Sequence, residues 1–156
     1  MNITAQIAKH FREIYFGDNW TASNLKDNLK DITWEQSTMQ VYSLNSIATL
    51  VYHMNYYVIA VIAVLQGHQL DAHDKYSFNA PPIKGEDDWI KLLDKTFADA
   101  ETCASLIEQL PDGALDQTFS NEKYGNYYRN LSGVIENNHY HLGQIALLKK
   151  IILQAE

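Results

Sequence analysis

The sequence predicts an all-α protein, a four-helix bundle with long crossover connections. Four long segments carry apolar residues at a helical period, and no segment alternates apolar with polar residues between turn signals as a half-buried strand does. The length agrees: 156 residues fit one domain, read here as 1–156, with enough chain to bury a core unaided by metal or disulfide.

The first segment places Ile3, Ile7, Phe11 and Ile14 on one stripe and closes at Gly17. The second carries a broad stripe of Ile47, Leu50, Val51, Met54, Val58, Val61, Ile62 and Leu65, ended by Gly67. The acidic turn Glu86-Asp87-Asp88 opens the third, where it suits the positive end of a helix dipole. Its stripe runs through Trp89, Leu93, Thr96, Ala100, Cys103, Ile107 and Leu110 until Pro111 stops it. The fourth spans about Tyr127 to Leu153, with Leu131, Val134, Ile135, Leu142, Ile145 and Ile152 inward. A short helix from Ala22 to Asp31 and an irregular crossing segment are expected between the first two. Two long connections, Gly67 to Gly85 and Pro111 to Asn126, exceed ordinary bundle loops, so they cross the bundle or cover a site.

Composition excludes several functions. Twelve Lys and Arg against nineteen Asp and Glu give a net charge of −7, without the basic cluster that nucleic acid or an anionic membrane surface requires. No Asp, Glu, Lys or Arg occurs between Glu35 and Asp71, and Leu44 to Leu65 is about long enough to span a bilayer. Asn45, Ser46, Thr49, His53 and Asn55 interrupt that stretch and no Lys or Arg anchors flank it, so a buried central helix is expected and no membrane partner. The one cysteine, Cys103, makes no intrachain bridge and falls on a core stripe. The first residues lack the features of a signal peptide, and the expected location is the cytoplasm.

Of six histidines, His53 and the cluster ENNHYHLGQI (136–145) lie in long helices. At about 100° per residue, His139 and His141 point roughly 160° apart and cannot share an ion from one regular helix. Asn137 and His141 share a face at the edge of the fourth stripe, and His53 sits at the edge of its own, a turn from Leu50 and Tyr57. Packed stripes bring such rim positions together, the way bundles assemble metal sites. Structural histidines bonded within the core are the alternative. His139 is expected at the surface, and His68 and His73 in a solvated loop.

Several stretches resemble the DinB-like superfamily of small bacterial four-helix proteins: SIATLVYHMNYYVIAVIAVLQG, IENNHYHLGQIALLKK, the FNAPP loop, the DDW start of the third helix and LIEQLP at its end. The resemblance covers essentially the whole chain and is most specific at His141, Gly143, Gln144 and Ile145. It implies a divalent-metal site for zinc or nickel, hydrolysis or thiol transfer on a small molecule, and a homodimer. The family's three histidines fall on His53, position 137 and His141, and position 137 here is Asn, a weaker ligand than imidazole. Two readings therefore stand: a metal-dependent enzyme built on His53, Asn137 and His141, or a non-catalytic dimer or small-ligand module that has lost its metal. Gln144 and Tyr57 are further candidates near the site. Gln144 would orient a ligand or bond another helix, and Gly143 would admit a close helix approach.

Overall fold

The computed structural model describes residues 2–155 and is all-helical, with seven α-helices, two short 3-10 turns and no strand among those residues. The long helices are α1 (Ile3–Phe16), α4 (Ile47–Leu65), α6 (Glu86–Gln109) and α7 (Tyr127–Gln154); α2 (Leu25–Leu29), α3 (Trp34–Thr38) and α5 (Asp74–Ser77) are short. Local chemistry fixes the starts. The side chains of Asn2, Ser46 and Asn126 accept from the backbone N–H groups of Ala5, Thr49 and Arg129, each filling a donor that the first helical turn leaves empty. α1 ends at Gly17, whose φ of 121° favours glycine. At the other stops, Gly67 lies just beyond α4 with φ 90°, and Pro111 follows α6.

The four long helices pack around one core. α6 lies against α1 and α4, and α7 lies against the same two from the other side. Phe11, Ile14, Met54, Ile107, Leu131, Ile145 and Ile152 are fully buried between them. By length and composition α4 is, among the described residues, the one helix apolar enough to cross a membrane; 61% of that stretch is buried inside the fold. Its apolar surface is consumed largely by its neighbours, as expected of a core helix.

Three expectations change in detail. The short helix is only Leu25–Leu29, because Asn24 caps it late by accepting from Asp27 N–H. The crossing segment contains α3, formed by a reciprocal capping box between Thr33 and Gln36. In α1, Thr4 is buried and Ile3 is 52% exposed, since the Thr4 hydroxyl and N–H bond to the Leu110 carbonyl and the Asp112 carboxylate at the end of α6. The two long connections are ordered by α5 and by the 3-10 turns Asp112–Ala114 and Glu122–Tyr124.

Trp89 ties the short elements to the long helices. It is 1% exposed and its indole N–H donates to the Ile32 carbonyl at 3.0 Å. Trp89→Phe removes volume and leaves that carbonyl unbonded, so urea denaturation should show a loss of about 2–4 kcal/mol. A loss within about 0.5 kcal/mol, the range of surface substitutions, would contradict this role.

Candidate functional site

α4 and α7 run antiparallel. Leu50 shares one cavity with Gln144 and Leu148, and Tyr57 and Val61 share another with Val134 and Asn137, so α4 rises as α7 descends. His53 and His141 lie between these levels on facing sides. Their ring centroids are 4.5 Å apart with planes at 81°, and the residues are only 5% and 6% exposed.

Three aromatic side chains enclose the pair. Phe78, from the segment after α5, stacks on His53 at 3.8 Å with planes 7° apart. Tyr57 meets His53 edge-on at 5.2 Å, and Tyr140 meets His141 edge-on at 5.0 Å. The Tyr57 hydroxyl donates to the Asp74 carboxylate, which ties α4 to α5 beside the histidines. Burial and this carboxylate raise the Tyr57 pKa to about 12, so its hydroxyl keeps its proton near neutral pH.

Polar partners set the rings' chemistry. His141 Nδ1 lies 2.7 Å from Gln144 Oε1, one turn along α7. An amide oxygen only accepts, so Nδ1 donates here and Nε2 is the ring nitrogen that Gln144 leaves unengaged. His53 Nδ1 is buried and has no hydrogen-bond partner. Burial, and next the nearby His141, push the His53 pKa down to about 4, while the Ser77 backbone and Asp74 oppose the shift. His53 is therefore neutral at physiological pH, the state in which imidazole binds metals.

Asn137 occupies the same face of α7 one turn before His141, but lines the cavity with Tyr57 and Asp74. Its Nδ2 is buried without a partner and no hydrogen bond joins it to either imidazole. Gln144 touches His141 as a positioning partner. Gly143 makes no close approach: a Cβ there would meet nothing within 4 Å. That expectation is corrected, because residue 143 faces away from the packed seam. His139 is half-buried against α1, its ring 5.8 Å from that of His10, and not simply at the surface. His68 and His73 are exposed, with His73 3.1 Å from Asp71, and Cys103 is fully buried.

Sequence reasoning singled out His53, Asn137, His141, Tyr57 and Gln144 but missed Phe78. The FNAPP stretch gave no physical sign that its aromatic ring would cover a histidine twenty-five residues earlier. Also missed were two polar contacts elsewhere between the helices: Asn55 donates to Asp99 at 2.9 Å, and Asn138 donates to the buried Tyr15 hydroxyl at 3.0 Å.

As a donor set, the pair offers two imidazoles, one of them held by a hydrogen bond at its other nitrogen, the usual support of a metal-binding histidine. No group of three or more His, Cys, Asp or Glu able to hold a metal occurs among the described residues. The donors that the structure brings together are the two imidazoles, with the Asn137 amide lining the cavity beside them. No known protein family, curated protein or solved structure matches the chain.

The depressed His53 pKa has a signed consequence. The unfolded chain takes up this proton near pH 6.5, before the folded protein does, so acid favours unfolding. The His53 contribution to stability should be constant above about pH 6.5 and decline as pH falls towards 4. Proton NMR of the His53 ring should give a midpoint near 4. A midpoint near the ordinary value of about 6.5 would contradict its burial.

Proposed function

We propose that the protein is a DinB-like four-helix bundle whose His53–His141 pair holds zinc or nickel and acts on a small molecule, in hydrolysis or thiol transfer. The observation that carries this reading is the perpendicular packing of the two buried imidazoles at 4.5 Å across α4 and α7. Support comes also from the Gln144 bond, which leaves His141 Nε2 free to ligate, and from the unpartnered His53 Nδ1. A divalent metal supplies Lewis acidity towards a water or a thiol. The chain's own contribution is positional. Gln144 fixes the His141 tautomer, Phe78 shields the His53 face from bulk water, and Asp74 holds the Tyr57 hydroxyl beside the pair.

A second reading, a non-catalytic small-ligand module, is favoured by Asn137. Its amide replaces the third imidazole implied by the resemblance, and the remaining donors fall short of the three protein ligands usual at catalytic zinc. The proposal includes a cytoplasmic location, with which the unbridged Cys103 accords. It also includes a homodimer, to which exposed apolar side chains such as Ile59 and Ile90 would contribute. Light scattering giving only the 17.9 kDa monomer mass at micromolar concentrations would contradict the dimer.

Titration calorimetry separates the two readings when run on protein without an affinity tag. The metal reading expects weak zinc binding by the natural chain, lost in His53→Ala and in His141→Ala. Asn137→His should tighten it by orders of magnitude and raise the melting temperature with zinc present, since a ligand of the folded state alone stabilises it. Binding that survives both alanine substitutions would remove the site. No binding by the natural chain, with tight binding by Asn137→His, would establish the module that has lost its metal.

A further inference from the structure

The cavity beside the histidine pair has a charge character opposite to that of the chain. It is a half-open cleft of about 500 Å³ between α4, α7 and the two long connections, enough for a small metabolite. Lys123 and Arg129 both line it, against a single carboxylate, Asp74, which accepts from Tyr57. Neither cation has an ion-pair partner among the described residues, although the chain carries nineteen Asp and Glu. Lys123 rests over the Tyr124 ring, 4.6 Å from its centroid, and both residues line the cavity. Apolar side chains, Val61 and Phe119 among them, form the inner walls, and cations above low-dielectric walls focus their field into the space.

The inner end reaches the candidate site. Tyr57 lines the cavity and also touches the His53 ring, and Asn137 lines it one turn before His141. The Asn137 Nδ2 is a buried donor without a partner, an arrangement that costs stability unless an acceptor arrives.

The geometry points to a small organic anion as the ligand of this cavity, its carboxylate or phosphate oxygens held by Arg129 and Lys123 and its other end directed past Asn137 towards His53 and His141. The inference deepens the proposed function by naming a substrate class; it rests on the small-molecule part of that reading and not on the metal. Arg129 is suited to a planar fork of two oxygens, and Lys123 to a single one. Both are exposed, so replacing them leaves the core intact.

Calorimetry with the dicarboxylate succinate and with inorganic phosphate, in chelator and at low salt, tests the inference. The uncharged diamide of succinate serves as control. Saturable millimolar binding of at least one anion is expected, with none of the diamide; the stronger arm shows whether carboxylate or phosphate is recognised. Arg129→Gln and Lys123→Gln should each weaken binding roughly tenfold, as expected for loss of one charge-assisted bond. Lys30→Gln, on a cation outside the cavity, should change nothing. Binding of neither anion, or binding unchanged in the Arg129→Gln/Lys123→Gln double variant, would overturn the inference. Repeating the titration on His53→Ala separates the claims: anion binding retained there keeps the inference whatever becomes of the metal.

Discussion

The burial of α4 constrains everything else in this chain. Nineteen residues without an Asp, Glu, Lys or Arg leave almost no face that prefers water, so other helices must surround it. α6 covers one side and α7 another, and α1 completes the ring by touching both of those helices. Burying this much apolar surface contributes roughly 25 cal/mol per Å² and dominates the choice of arrangement. His53 lies on that helix, so the same force carries an imidazole into the interior and places it against whatever α7 presents at that level.

Polar groups inside such a core require partners, and here the pairing is incomplete. Asn55 and Asn138 each donate one bond while their Oδ1 atoms find none, and His53 Nδ1 and Asn137 Nδ2 are also unbonded. Each such group costs about 1–3 kcal/mol when left unsatisfied. Two of the four, His53 Nδ1 and Asn137 Nδ2, border the candidate site. A stretch chosen for stability alone would fill those positions with leucine or valine. Their presence beside a cavity lined by Lys123 and Arg129 is the physical reason to propose this stretch of α4 and α7 as a place for ligands.

The helices and the histidine pair were legible because both follow from local periodicity. A stripe at intervals of three and four residues states which face turns inward, and His53 and His141 stand at the edges of two such stripes. Their approach to 4.5 Å required only that the two helices pack through those stripes. Long-range neighbours carry no such periodicity, and there sequence reasoning stopped. Phe78 reaches His53 through a loop whose path is set by contacts around Tyr56, Tyr57 and Asp74. Thr4 displaced Ile3 from the interior because of Asp112, more than a hundred residues away. Asn138 escaped notice although it is fully buried, because its partner, Tyr15, lies on a helix read separately.

The central claim is that α4 and α7 bring His53 and His141 together as one ligand-binding pair. Anomalous X-ray diffraction at the zinc edge, from crystals of untagged protein grown with zinc, tests it most directly. The account predicts an anomalous peak at about 2 Å from a ring nitrogen of each histidine, with Gln144 still bonded to His141 and Phe78 displaced from or leaning on the His53 ring. Zinc found only at exposed histidines such as His73, with the His53 and His141 rings still packed on each other, would contradict it.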